Sequence, residues 1–344
     1  MAGADGVITV PLQAGMTEVL LPANTAILAG ERSIVIGNES MTIELTPEAI
    51  SQLEEGEQGQ ISIGINTVAV NTSELQDSYN AVVNTASPGY QISFELQQAN
   101  SSSTAANQAA GVNVSFELGE KIDLNRVAIY KVDENGLLSY VGGTVKDGKI
   151  SAVIEESGTY VALEFNKSFE DVSKDHWAYE AISLMSMRLV AQGVNETHFA
   201  PNQNITRSEF VALIARALGL SASNQETPFK DVAATSWYAN EVAIAYQLGL
   251  INGKSETEFA PDNRISSEEM AVILLRAYLY ATGIEVSGSQ SNFVDDELIS
   301  SWAKADIAAA YELRLIEGRG NNKFAPLEKL TRAEAIQAIL NVLN

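Results

Sequence analysis

Cysteine is absent from the 344 residues, histidine occurs twice and tryptophan three times. The lack of cysteine excludes disulfides, thiolate metal sites and cysteine nucleophiles, and leaves the compartment open. His176 and His198 are 22 residues apart, without metal-ligand spacing, which sets aside a zinc site and a histidine-dependent hydrolase. No run of 18 apolar residues is present, so no segment is expected to enter a membrane as a spanning helix. Met1-Ala2-Gly3 lacks the basic start and apolar stretch of a signal peptide and reads as the start of a mature fragment. Positive charge is scarce: 21 Lys and Arg against 44 Asp and Glu leave a net charge of −23. A field of that sign repels nucleic-acid phosphates and anionic membrane surfaces, so neither is an expected partner. No cofactor is expected either. Gly249-Leu-Ile-Asn-Gly253-Lys254-Ser255 imitates a phosphate-binding loop but has three residues between its glycines where four are needed. Asp295-Asp296-Glu297 lacks the alternating ligands of a calcium loop.

A chain of 344 residues is too long for one ordinary domain. Residues 1–166 hold 6 basic and 21 acidic residues, net −15, and the remainder holds 15 and 23, net −8. The apolar period changes at the same place. Up to Phe165 the chain alternates, as in Gln91–Leu96, Val112–Leu118 and Val127–Val132, which predicts half-buried strands. Asn135-Gly136 and Asp147-Gly148 supply hairpin turns, because both pairs tolerate the positive φ that a tight turn between twisted strands requires. Residues 126–165 are thus expected to form a four-stranded meander and residues 101–107 an exposed loop. About eight to twelve strands predict an all-β sandwich over residues 1–165.

After Phe165 the pattern becomes helical and repeats itself. Phe169-Glu-Asp-Val172, Trp177, Gly193, Phe199-Ala-Pro201 and Thr206-Arg-Ser-Glu209 make the first copy. Phe229, Trp237, Gly253, Phe259 and Ser266-Ser-Glu-Glu269 take the same places in the second, and Phe293, Trp302, Gly318, Phe324 and Thr331-Arg-Ala-Glu334 in the third. In every copy Trp to Gly is 16 residues, Gly to Phe is 6, and Phe to the Arg position is 8. Each copy reads as helix, loop, helix, with the glycine as a helix-ending signal. Thr206, Ser266 and Thr331 are each followed three residues later by a glutamate, the pattern of a capping box. Apolar stripes such as Phe210, Leu213, Ile214 and Ala217 need one another, since one helix pair cannot bury such a face alone.

These residues resemble the S-layer homology module of bacterial cell-surface proteins, which usually occurs as three tandem copies. The Phe-x-Asp-Val start, the Trp, the Phe-x-Pro and the Ile-Thr-Arg-x-Glu element carry the resemblance over residues 169–344. It implies an all-α, pseudo-threefold helical prism made of repeats 169–228, 229–292 and 293–344, with ligand grooves between neighbouring copies. It also implies a secreted protein of the cell wall or S-layer, attached non-covalently to a secondary cell-wall polysaccharide bearing pyruvate ketals. Peptidoglycan is the rival ligand. The preceding region resembles the β-sandwich found before such modules in some Gram-positive surface proteins. The expected function is a non-enzymatic anchor, and the alternative is a wall-bound polysaccharide hydrolase fragment whose repeats anchor it.

Eleven residues are the ligand-binding candidates. Arg207 and Arg332 begin their helices, where unpaired N–H groups and the dipole favour an anion and a planar guanidinium can grip a carboxylate; the other reading pairs each with an acid of the adjacent copy. Trp177, Trp237 and Trp302 offer a face for a sugar ring or a ketal methyl, or serve as core residues. Asp171, Asp231 and Asp295 can accept sugar hydroxyls, or cap and form turns. Gly193, Gly253 and Gly318 complete the set. For Glu209, Glu269 and Glu334 the capping box is explanation enough. Ser267 stands where an arginine is expected, so the groove depending on it is expected to be weakened. A charge-assisted hydrogen bond contributes about 1.5–3 kcal/mol, and a lost bidentate pair corresponds to some two orders of magnitude in affinity.

Overall fold

The computed structural model describes residues 6–54, 59–97, 104–105, 111–220, 226–284, 286 and 291–343. It divides into two compact units, Met1–Lys167 and Ser168–Asn344. In the first unit, β1 (Ile8–Pro11), β3 (Ile34–Gly37), β4 (Met41–Leu45), β9 (Val112–Glu117), β13 (Lys149–Ile154) and β12 (Thr144–Lys146) lie side by side in one sheet. A second sheet runs β11 (Leu138–Gly142), β10 (Val127–Val132), β14 (Gly158–Asn166), β7 (Gly89–Gln97), β5 (Gln60–Val68) and β2 (Glu18–Leu21), with β6 (Val82–Thr85) on β14 and β8 (Thr104–Ala105) on β7. Alternation sets the buried face. Met41, Ile43 and Leu45 of β4 and Val112, Val114 and Phe116 of β9 are buried, and the register Ile43↔Val114 puts them on one side of the sheet. They share a core with Ile63, Ile92 and Phe94 of the second sheet.

The all-β expectation for residues 1–165 is corrected. Among the described residues three helices belong to this unit, α1 (Thr25–Ala29), α2 (Pro47–Leu53) and α3 (Thr72–Tyr79), and β1 pairs with β3 in parallel. Helix α2 starts where the Thr46 hydroxyl accepts from Ala49 N–H with Pro47 in the first turn, and it buries Ala49, Ile50 and Leu53 in the shared core. Helix α3 starts on an Asn71 cap; from its end Tyr79 meets Phe165 of β14 edge-on at 5.8 Å. That contact helps explain why β14 is buried from Tyr160 to Leu163 without alternation. The expected four-stranded meander is five strands divided between the sheets, because Gly142 and Gly143, with φ of 98° and 137°, turn the chain out of one sheet and into the other. Most of the expected 101–107 loop lies outside the described residues; Thr104 and Ala105 pair with Leu96 and Glu95.

The second unit carries α4 (Tyr179–Met187), α5 (Arg207–Ala217), α6 (Ala239–Gln247), α7 (Ser267–Thr282), α8 (Lys304–Glu312) and α9 (Arg332–Leu343). The expected all-α helical prism is also corrected. Among the described residues α-helices cover only about a quarter of the chain, and irregular loops joined by single bridges, Thr206↔Arg264, Ser266↔Lys329 and Asn204↔Thr331, also link the copies. The helices are short because each first helix is stopped early. A residue in the left-handed region closes it: Leu189 (φ 60°), Gly249 (φ 72°) and Arg314 (φ 58°). The glycines expected to end these helices lie four residues further on, where the loop passes close to a phenylalanine ring.

Nine-residue helices are marginal alone. Here each first helix packs on the second helix of another copy: α4 on α9, α6 on α5 and α8 on α7. The N-termini of the second helices are shared in the same cycle. Arg207 and Ser208 N–H groups donate to Asn263 and Pro261 carbonyls at 2.9 and 3.1 Å. Ser267 and Glu268 donate to Glu328 and Pro326 at 3.0 and 3.1 Å, and Arg332 and Ala333 to Gln203 and Pro201 at 2.8 and 3.1 Å. The third N–H of each helix goes to its own Thr or Ser cap.

Arg314 is exposed and holds a left-handed conformation that costs an ordinary L-residue about 1 kcal/mol or more. Arg314→Gly, which copies Gly249, should raise unfolding stability by roughly 0.5–1 kcal/mol, part of the gain being offset by the freer unfolded chain. A urea denaturation midpoint that fell would contradict this.

Candidate functional site

Each copy builds its loop from the same parts. The Asp171 carboxylate accepts from Phe199 and Ala200 N–H at 2.8 and 2.7 Å, Asp231 from Phe259 and Ala260 at 2.9 and 2.7 Å, and Asp295 from Phe324 and Ala325 at 2.8 Å each. Those alanines have φ of 58°, 58° and 56°, so the aspartates hold a turn that their sequence does not favour. Burial pushes the Asp295 carboxyl up, but the Phe324, Ala325 and its own N–H groups and the Lys323 charge outweigh that and leave it below its ordinary value. The glycines sit beneath the paired rings Phe169–Phe199, Phe229–Phe259 and Phe293–Phe324. A Cβ on Gly193 would lie 2.2 Å from Asn195 O and 2.8 Å from Phe169 Cε1, and one on Gly253 2.3 Å from Ser255 O and 2.5 Å from Phe229 Cε1. They are glycines of close approach, and this corrects their reading as helix stops.

Arg207 and Arg332 are 4% and 7% exposed, and both cross into another copy. Arg207 donates through Nε to Phe259 O at 3.1 Å and through Nη2 to Asn252 O at 3.2 Å, lies 4.9 Å over the Phe259 ring, and brings Nη1 to 3.4 Å from Glu269. Arg332 repeats this on Phe199 O, Gln192 O, the Phe199 ring and Glu209 at 2.9, 2.8, 4.8 and 3.5 Å. The helix starts are therefore not free to bind an anion as expected: their first N–H groups are taken by carbonyls and caps, and each guanidinium is largely spent on the adjacent copy. Burial pushes the Arg207 guanidinium down to about 10, against the raising charge of Asp231, so it stays cationic at neutral pH. Burial lowers Arg332 also, opposed by Glu209 and Asp171. The glutamates do more than cap. In Glu209, Glu269 and Glu334 one oxygen accepts from the N-cap N–H and the other takes a cation: Arg332, then Arg207 with Lys254, then Arg319.

Two grooves open beside these arginines. One, of about 320 Å³, brings together Gly193, Glu209, Arg216, Trp237 and Arg332. The other, of about 380 Å³, brings together Gly253, Glu269, Arg276, Trp302, Arg207 and Lys254. All three tryptophans are more than half exposed, at 61% for Trp177, 58% for Trp237 and 56% for Trp302, which is not the position of a core residue. At the corresponding third place, Trp177 stacks on His176 at 5.7 Å, Ser267 donates to Glu328 O at 3.4 Å, and Arg319 is tied to Glu334 and Glu328. The wider cleft of the N-terminal unit, about 720 Å³, is lined by Glu117 and Glu120 but by no cation and no aromatic ring.

Arg216, Arg276 and Lys254 escaped the sequence reasoning. The signal was present: Arg216 and Arg276 each stand seven residues, two turns, after a capping glutamate, where the third copy has Asn341. Arg216 lies 5.8 Å from the Trp237 ring and 3.5 Å from Glu241.

Residues 168–211, 228–271 and 292–336 match the S-layer homology domain model. The chain carries three S-layer homology domains. They are modules of cell-surface attachment. The chain is 32% identical over 319 residues to an amylopullulanase of Thermoanaerobacterium thermosulfurigenes, covering 92% of this chain and 16% of that protein. It is 36% identical over 203 residues to exoglucanase XynX of Acetivibrio thermocellus, covering 59% and 18%. It is 30% identical over 187 residues to a surface-layer 125 kDa protein of Lysinibacillus sphaericus, covering 54% and 15%. The chain thus spans less than a fifth of the length of each of these relatives. The expectation of a non-enzymatic protein is corrected by the first two names, which belong to polysaccharide hydrolases. No helix among the described residues is long and apolar enough to cross a membrane.

Two outcomes follow for the S-layer homology domains. Gly193→Ala and Gly253→Ala should cost about 3 kcal/mol or more, whereas Gly318→Ala, whose Cβ would stay 3.0 Å from Phe293 Cε1 and 3.3 Å from Lys323 O, should cost nearer 1 kcal/mol. Equal losses in thermal denaturation would contradict the geometry. Arg332→Ala leaves the Phe199 and Gln192 carbonyls and the Oε1 atom of Glu209 without their donor and should destabilise by about 2–4 kcal/mol in the same measurement.

Proposed function

We propose that this chain forms part of a secreted, cell-wall-bound polysaccharide hydrolase whose three S-layer homology domains hold it to a pyruvylated secondary cell-wall polysaccharide. The observation that carries this reading is the pair of grooves in which a guanidinium and an exposed tryptophan face the same space. In a chain of net charge −23, both grooves nonetheless gather cations suited to an acidic saccharide. A tryptophan face suits the apolar side of a sugar ring or a ketal methyl, and a guanidinium suits the pyruvate carboxylate. Trp237 and Trp302 are the stacking surfaces; Arg207 and Arg332 shape the walls and can still spare an N–H each; Gly193 and Gly253 keep the loop low beside them. Asp171, Asp231 and Asp295 act through the loops they hold. The groove next to Ser267 and Trp177 contributes least, because Ser267 and Asn341 replace both arginines there. The relatives' names support the hydrolase part of the reading.

Two engaged grooves on one body raise avidity for a repeating polymer without new contacts. Cell walls should therefore sediment the protein, and removal of the secondary polymer, or of its pyruvate alone, should release it. Retention on walls stripped to peptidoglycan would favour peptidoglycan as the ligand and overturn the polysaccharide reading. Isothermal titration with a pyruvylated disaccharide should give a stoichiometry near two and not three. The hydrolase part is tested with the whole protein, as release of reducing sugar from α- or β-glucan, and an inert whole protein would overturn it.

A further inference from the structure

The two grooves differ in charge at one position and in the reach of a carboxylate at a second. In the groove with Trp237 the two cations, Arg216 and Arg332, face two acids: Glu209 accepts from Arg332, and Glu241 lies 3.5 Å from Arg216. Its cations are matched. In the groove with Trp302 the cations are Arg207, Lys254 and Arg276, and one acid, Glu269, serves both Arg207 and Lys254. Lys254 stands where the first copy has Val194. The place of Glu241, four residues after the tryptophan, is taken by Asp306, which is one methylene shorter. Among the described residues no carboxylate oxygen lies within 4.0 Å of Arg276. Arg276 is half-buried, and its amide neighbour Asn252, with the side-chain oxygen turned toward it, accepts from Nη1 at 3.2 Å while donating to Ile251 O at 3.2 Å. The guanidinium is thus held by a neutral group, partly shielded from water, and aimed into a cavity that holds an exposed tryptophan.

We propose that Arg276 is a carboxylate-binding residue and that it makes the groove between the second and third copies the tighter of the two for acidic saccharides. The proposal rests on the acidic-saccharide reading above and adds which groove leads and which residue discriminates. A half-buried, unmatched cation gains more from an arriving carboxylate than one that must first leave a glutamate, and the bidentate geometry of guanidinium favours a carboxylate over a neutral hydroxyl. Lys254 lends a second charge at the groove mouth but is engaged by Glu269.

The test is isothermal titration of the full chain with a pyruvate-ketal disaccharide, its neutral carboxamide counterpart and a uronic-acid disaccharide, on the wild type and on Arg276→Ala, Arg276→Lys and Arg216→Ala. The wild type should show two classes of site. Arg276→Ala should weaken the tighter class by about tenfold to a hundredfold for the acid probe and by less than threefold for the carboxamide, with Arg276→Lys between. Arg216→Ala should touch only the weaker class. Circular dichroism melting of each variant shows that the fold is retained. If the pyruvate-ketal probe binds as tightly to Arg276→Ala as to the wild type, this inference is wrong and the wall-binding reading stands. If only the uronic-acid probe binds, and depends on Arg276, the inference holds and the pyruvate reading fails. If neither acid binds, both are overturned.

Discussion

A helix N-terminus cannot be buried with its N–H groups unpaired, and the second helix of every repeat meets that demand with carbonyls from another repeat. Arg207 and Ser208 use Asn263 and Pro261, Ser267 and Glu268 use Glu328 and Pro326, and Arg332 and Ala333 use Gln203 and Pro201. The cycle closes on itself, so no repeat has a complete hydrogen-bond set without the other two. The capping glutamates extend the same dependence to the side chains. One carboxylate oxygen finishes the helix cap, and the other holds a cation, which for Arg207 and Arg332 comes from a different repeat.

That requirement explains the strained features of the loops. To bring the Pro201, Pro261 and Pro326 carbonyls to a neighbouring helix, the preceding alanine adopts a positive φ, an aspartate fixes the turn through two N–H groups, and a glycine lets the loop lie against a phenylalanine ring. The grooves are a by-product of the same junctions. Where an arginine crosses from one repeat to the next, it leaves beside it a recess bordered by the exposed tryptophan of the following repeat. The side chains that differ between the recesses, Val194 against Lys254 and Glu241 against Asp306, supply none of the backbone hydrogen bonds of the capping cycle, although Lys254 does reach the capping Glu269.

The first unit is organised differently. Its alternating strands bury one face by period alone, as in β4 and β9, and these elements were legible because side chains on a strand point to opposite sides in turn. The helices were missed because each is short and offers few apolar positions. Thr46-Pro47 and Asn71 were visible cap signals, but short helices over strands need the sheet beneath them before their apolar residues acquire a partner. The division of residues 126–165 between two sheets depended on Gly142-Gly143, a pair whose conformation a sequence permits but does not dictate.

The sequence by itself determined the three-fold repetition, the capping boxes, the tryptophan positions and the missing arginine at Ser267, because each is a local pattern of spacing and residue type that no distant contact can alter. It also carried the resemblance to S-layer homology modules, and the family match agrees with it. Only the tertiary structure decided what the arginines touch, that the glycines support close approach and do not end helices, and that Arg276 is left without an acid while Arg216 has one. Those facts depend on which repeat faces which, and on whether a side chain of a given length reaches across the junction. Spacing along one chain records neither.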